Sequence, residues 1–259
     1  MLNIIIPIYK NDFEDYEKTS LISIFKHFEK YKITFISPKS LNLNFLSEIE
    51  FIKNYNIETF DDNFFKSIDG YNKLLLDPQF YKRFSNDEFI LICQTDVFIF
   101  NNDIERWLNL DFDYVGAPWI ASNRNFINKF LDRLKNIINK IKNKKVKNTE
   151  RLFKVGNGGF SLRKTQKFIE ISELEALNIK RFITDKPDSE YHIEDVFWSL
   201  YVTKIYPNFN IPNWKEALSF CIDRKPQLAL KLNNNNLPMA CHGFNKSKVK
   251  SYWKKYINY

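Results

Sequence analysis

The stretch Gln94-Thr95-Asp96 interrupts an apolar run, ILICQTDVFIF at 90–100, and sets a carboxylate where a buried strand is expected. Asp is depleted in strands, and an unpaired charge taken out of water is expensive unless it is neutralised by a pKa shift. The run must end at something wet. Either Asp96 caps the following turn, or it stands at the carboxyl edge of a strand, where α/β proteins hold ligands. A lone hard oxygen ligand beside a loop is suited to Mg2+ or Mn2+, which bind to one or two carboxylates and complete their shell with substrate phosphates.

Four other stretches could carry chemistry. GNGGF at 156–160 gathers Gly156, Gly158 and Gly159, three of the six glycines, before Phe160. Such a turn allows close backbone approach or positive φ. It lacks the spacing of dinucleotide and phosphate loops, so those classes are excluded. HIEDVFWSL at 192–200 places Glu194 and Asp195 at the start of an apolar helix, where the helix dipole favours negative charge and capping alone accounts for them. MACHGF at 239–244 sets His242 between a short apolar strand and a glycine; its imidazole serves the core or, with a divalent ion near, a metal. DYVGAPW at 113–119 puts Trp119 behind a Gly/Pro turn, for core packing or for stacking on a sugar.

These residues need a frame. Residues 2–9 read as a strand, 14–31 as a helix and 32–38 as a second strand ended by Pro38. A strand at 57–60 and a helical stretch over 63–84 precede the run ending at Asp96, and helices follow near 165–177 and 193–204. Strands alternating with helices predict an α/β fold with a mainly parallel central sheet. Residues 123–148 read as a basic amphipathic helical insertion, with Phe126, Ile127, Phe130, Leu131, Leu134, Ile137, Ile138 and Ile141 at helical spacing among lysines and arginines. The stripe either packs on the core or a second subunit, or docks on an anionic membrane surface.

A chain of 259 residues, 44% hydrophobic and 17% aromatic, is long enough for one substantial core, and a single domain over 1–259 is expected. The formal charge of +8 favours anionic partners. No nucleic-acid motif accompanies that charge, so a nucleic-acid partner is not expected. Three cysteines without paired spacing indicate free thiols and a reducing, cytoplasmic setting. The start MLNIIIPIYK has no basic leader or small-residue cleavage site and reads as the first strand. No apolar stretch reaches the length of a membrane span, so a soluble or peripheral protein is expected.

In this order, QTDVFIF, DYVGAPW, GNGGFSLRK, EDVFWS and CHGF resemble the bacterial glycosyltransferase-like domains of domain-of-unknown-function family 5672, over about residues 90–253. That resemblance implies a single GT-A-like (Rossmann-like) domain. It implies transfer of a sugar from a nucleotide-diphosphate sugar, UDP-linked, to a hydroxyl of a glycan or glycolipid, inverting and metal-assisted, in surface polysaccharide or lipopolysaccharide synthesis. Asp96 becomes a ligand of Mn2+ or Mg2+, with His242 as the second protein ligand by analogy. Gln94 stands where the family type of motif has its first acid. Gln94, Thr95 and Asp96 face the donor, and Pro7, Ile8 and Tyr9 are expected to line the nucleotide pocket because the first strand ends beside the switch point. Asp195 matches the general base and Glu194 a binder of acceptor hydroxyls, while Trp119, Gly158, Gly159 and Phe160 offer a wall for a sugar. The alternative is a non-catalytic nucleotide- or glycan-binding module on the same fold, with metal affinity lost through Gln94.

Overall fold

The computed structural model describes residues 1–121, 150–185 and 190–258, so the predicted 123–148 helix lies outside the described residues. The strands are β1 Leu2–Pro7, β2 Lys32–Pro38, β3 Tyr55–Phe60, β4 Phe89–Cys93, β5 Val97–Ile99, β6 Tyr114–Gly116, β7 Phe160–Lys164, β8 Cys221–Ile222 and β9 Ala240–His242. A six-stranded sheet has the order β3-β2-β1-β4-β7-β6, and a three-stranded sheet has the order β5-β9-β8. β1 lies parallel to β2 and β4, β2 is parallel to β3, and β7 runs antiparallel to β4 and β6.

The apolar runs LNIIIP and FILIC are buried at every position, as central strands covered on both faces must be. Alternation divides their side chains. Ile4, Ile6, Leu91 and Cys93 meet Leu21, Ile24 and Phe28 of the helix Asp15–Phe28. Ile5, Ile90 and Ile92 meet Leu74, Phe80, Phe168 and Trp198 on the other side. Each of these large side chains contributes about 1.5–3 kcal/mol by leaving water. The chain leaves β1 toward β2 while β4 lies on β1's other flank, so the carboxyl ends of β1 and β4 border a topological switch point.

Two predicted helices are broken. The stretch 63–84 comprises a 3-10 turn Asp62–Phe64 and helices Ile68–Leu74 and Pro78–Lys82. Pro78 has no N–H to continue a helix, and the Asp77 carboxylate accepts from Gln79 N at 2.8 Å to start a new one. The apolar spacing continues through this break, which is why periodicity alone missed it. Near 165–177, two helices stand in place of one, Thr165–Leu174 and Ala176–Thr184. The helix at 193–204 begins as Glu194–Val196, widens to a π-helical stretch over Phe197–Val202 and ends at Thr203–Ile205. Among the described residues, no helix is long and apolar enough to cross a membrane.

Candidate functional site

The small sheet assembles the chemistry. β9 runs antiparallel to β5 with His242 opposite Val97, and parallel to β8 with Cys241 opposite Ile222. Asp96 precedes Val97 and Asp223 follows Ile222, so the register brings Asp96 and Asp223 to the two sides of His242. His242 Nε2 lies 3.0 Å from Asp96 Oδ1 and 3.1 Å from Gln94 Oε1, while Nδ1 lies 3.1 Å from Asp223 Oδ1. Lys246 Nζ stands 3.6 Å from Asp96 Oδ2. Backbone bonds fix the loops: Gln94 N donates to Gly159 O at 2.9 Å and Gly243 N to Asp96 O at 2.8 Å. Gly243 has φ +66°, a conformation that favours glycine.

Burial works to lower the pKa of His242, but the Asp96 and Asp223 carboxylates outweigh it and push the ring up to about 9. For Asp96, burial works upward, and His242 and Lys246 outweigh it, holding the carboxylate below its ordinary value. Asp223 follows the same pattern, with burial outweighed by His242, Lys246 and Arg224.

The donor set fits a small divalent cation. Asp96 Oδ1, Gln94 Oε1 and His242 Nε2 are hard oxygens and an imidazole. Ligands at ~2.1 Å around an octahedral ion sit ~3.0 Å from one another, the spacing these atoms already have about Nε2. A Cβ on Gly159 would collide with His242 Nε2 and come within 2.7 Å of Gln94 Oε1, so the glycine keeps the room in front of the donors clear. Among the described residues, no group of three His, Cys, Asp or Glu side chains forms a metal cage by itself. A cation here would need Gln94 and oxygens from a ligand.

A cleft of about 640 Å³ opens beside these donors, lined by Pro7, Tyr9, Tyr16, Phe65, Lys66, Ser67, Ile68, Tyr71, Gln94, Thr95 and Asp96. Tyr9 is 58% exposed at its mouth, whereas the Ile8 side chain is buried and only its backbone could face a ligand. The buried Glu17 carboxylate braces the cleft floor: Oε1 accepts from Thr95 Oγ1 at 3.1 Å, and Oε2 accepts from Glu14 N at 2.9 Å and pairs with Lys10 Nζ at 2.7 Å. A larger groove of about 820 Å³, lined by Asp111, Lys164, Lys167 and Asn210 among others, lies elsewhere. Lys164 pairs with Phe89, at the opposite end of β4 from the Cys93–Phe160 pair that adjoins Gln94.

Glu194 and Asp195 have different surroundings. Glu194 is 3% exposed and its Oε1 pairs with Arg163 Nη1 at 2.8 Å. Arg163 is fully buried, donating to Tyr81 Oη at 2.7 Å and through Nε and Nη2 to Ser161 Oγ at 3.1 and 3.0 Å. Burial, with Asp195 adding, pushes the Glu194 carboxyl up to about 7 against the pull of Arg163. Asp195 is half-buried; its Oδ1 is shielded from solvent without a hydrogen-bond partner among the described residues. Burial, supplemented by Asp223, raises its pKa against Arg151 and the Val196 N–H.

Two expected sugar-facing residues are corrected. Phe160 is fully buried and stacks on Phe220 with ring centroids 4.9 Å apart, so it belongs to the core. Trp119 is 7% exposed and packs with Val196 and Leu200, its ring filling the place of a Gly156 side chain. Both are large aromatics, and sequence does not tell a packed ring from an offered one. Asp223, Glu17, Arg163 and Lys246 were missed. For Asp223 there was a signal: SFCID ends a short apolar run in an Asp, as ILICQTD does.

The architecture is that of the GT-A glycosyltransferases. Mouse xyloside xylosyltransferase 1 in its apo form matches with a TM-score of 0.54 at 11% identity, over 93% of this chain and 96% of its own. LgtC, a galactosyltransferase solved with donor and acceptor sugar analogues, matches with a TM-score of 0.52 at 14% identity, over 93% and 86% of the two chains. A glycosyltransferase involved in glycosylation of the major capsid of PBCV-1 gives 0.50 at 11% identity, covering 98% of both. At such identities the likeness is one of fold. The chain belongs to the family described as protein of unknown function (DUF5672), whose model matches residues 54–242. No curated protein matches the chain.

Proposed function

We propose that this chain is a glycosyltransferase that moves a sugar from a nucleotide-diphosphate sugar, UDP-linked, to a hydroxyl of a glycan or glycolipid, with inversion, in the making of surface polysaccharide. The observation that carries this reading is the convergence of Asp96, Gln94 and His242 on room kept by Gly159, at the edge of a cleft beside the β1–β4 switch point. Pro7, the Ile8 backbone and Tyr9 would hold the nucleoside, with Thr95 braced by Glu17 on the donor side. Asp96, His242 and Gln94 would hold Mn2+ or Mg2+, which when bound neutralises charge on the leaving diphosphate. Lys246 adds a second positive charge there. Asp195, with a shielded oxygen free of hydrogen bonds and a raised pKa, takes the acceptor's proton as its oxygen attacks the anomeric carbon. The bond from that carbon to the diphosphate oxygen breaks, and its electron pair leaves with the diphosphate. Glu194, engaged by Arg163, shapes the wall behind Gly158 in place of binding acceptor hydroxyls.

Incubation with a panel of UDP-sugars, with and without Mn2+, tests the reading. Release of UDP that stops with chelation and in Asp96→Asn supports it. UDP binding without turnover of any nucleotide sugar favours a non-catalytic module, which the neutral Gln94 would suit. We further place the protein in the cytoplasm, peripheral to the membrane through the basic segment 123–148. Binding to anionic liposomes that survives Phe130→Glu plus Leu134→Glu unchanged would end that part of the proposal.

A further inference from the structure

Each ring nitrogen of His242 lies close to a carboxylate, although only Nε2 has a hydrogen-bond partner, Gln94 Oε1, among the described residues. Nε2 faces Asp96 Oδ1 and Gln94 Oε1, and Nδ1 lies 3.1 Å from Asp223 Oδ1 on the opposite edge of the ring. A neutral imidazole has one N–H and one lone pair, and the bond made by one nitrogen decides what the other presents. We propose that Asp223 is a positioning residue: by accepting the Nδ1–H of His242 it fixes the ring's orientation and tautomer, so that Nε2 directs its lone pair at the cation beside Asp96. This inference rests on the reading of Asp96 and His242 as cation ligands.

The surroundings support it. The ring stands between the two carboxylates, so Asp223 Oδ1, 3.1 Å from Nδ1, lies on the opposite edge from a cation at Nε2 and would act through the histidine. Asp223 and His242 are 6% and 7% exposed; the β8–β9 pairing sets Ile222 and Cys241, the residues just before them, opposite each other, and His242 itself pairs with Val97 of β5. Asp223 Oδ2 accepts from Arg224 Nε at 3.1 Å, which leaves Oδ1 to His242. On the far side, Gly159 has no side chain to press on the ring, whose Nε2 edge meets only Asp96 and Gln94, the other two donors to the cation.

The test measures Mn2+ binding by electron paramagnetic resonance, with UDP present, in the wild type, Asp223→Leu, Asp223→Asn and His242→Ala. Loss of such a second partner typically weakens metal affinity by about 10–100-fold. That loss is expected in Asp223→Leu, with UDP affinity in the absence of metal unchanged, and a smaller loss in Asp223→Asn, whose amide oxygen still accepts from Nδ1. Nitrogen NMR of the wild type with Mg2+ and UDP should show the Nδ1–H tautomer. If Mn2+ binding survives in Asp223→Leu but falls in His242→Ala, the Asp223 proposal is wrong and the cation reading stands. If the wild type binds no Mn2+, or His242→Ala binds it equally well, the cation reading fails and takes the proposal with it. Should Asp223→Leu fail to fold, the tautomer decides: Nε2–H in the Mg2+-loaded protein overturns the proposal.

Discussion

Two consecutive glycines back two different charge clusters. A side chain on Gly158 would approach Glu194 Oε2 to 2.5 Å and Arg163 Nη2 to 3.2 Å, whereas one on Gly159 would run into His242 and Gln94. The Glu194–Arg163 cluster is closed: the guanidinium spends its donors on Glu194, Tyr81 and Ser161, all inside the core. The Asp96–His242–Asp223 cluster is open on one side, because its donor atoms adjoin a cleft. Burial and ionisable groups alone therefore do not mark a ligand site. A glycine stands against each cluster; what distinguishes the second is that Gln94 and Asp96 line a cleft.

Asp195 lies within the electrostatic reach of both clusters, feeling Asp223 on one side and Arg163 on the other. Its removal should have the largest effect. Asp195→Asn is expected to lower sugar transfer by about 10²–10⁴-fold while UDP binding is kept, as measured by steady-state rates and calorimetry. An equal fall in UDP affinity would place Asp195 with the cation ligands.

Breaking the closed cluster should act on stability. Arg163→Met strands the Glu194 carboxylate and is expected to cost about 3–5 kcal/mol in urea unfolding, with Mn2+ affinity of the folded fraction retained. A stable variant with lost Mn2+ binding would erase the distinction between the clusters.

The closed cluster should also make stability depend on pH. Folding raises the Glu194 pKa from 4.5 to about 7, so it favours the protonated form. The contribution is full below pH 4.5 and is lost as pH rises through about 7, at most about 3 kcal/mol. Urea unfolding across that window should show a flatter pH dependence in Glu194→Gln than in the wild type; parallel curves would refute it.

The smallest effects should come from the glycines themselves. Gly159→Ala is expected to reduce transfer by about 10²-fold with little change in melting temperature, since it would displace His242 and Gln94, two of the proposed cation ligands. Gly158→Ala should instead lower stability by about 1–3 kcal/mol through crowding of Glu194. Interchanged outcomes would mean that the roles of the two clusters are reversed.

Much of the frame was legible because burial leaves a strong pattern: β4 is an unbroken apolar run and β1 is one apart from Asn3, and Asp96 and His242 each stand out by ending an apolar run. The bridging role of His242 was not legible. It arises because β5, β8 and β9 leave the main sheet and pair with one another, and nothing local in three short strands specifies that register. Glu17 was hidden for a similar reason. It reads as an ordinary first-turn acid of a helix, yet Thr95 reaches it from a loop far along the chain. Arg163 sits mid-strand, where a sequence reading expects a solvent-facing side chain and the fold supplies Glu194 and Tyr81 instead.

The three cysteines end up in a telling position. Cys93 directly precedes Gln94, Cys241 directly precedes His242, and Cys221 lies two residues before Asp223. All are buried free thiols, and burial pushes each well above the ordinary thiol range, so none reacts readily while the strands stay closed. Native-state labelling kinetics at each sulfur would therefore read out how often that strand end opens. Slowing of all three by Mn2+ with UDP would measure, without any label being engineered in, how much ligand binding steadies the floor of the cleft.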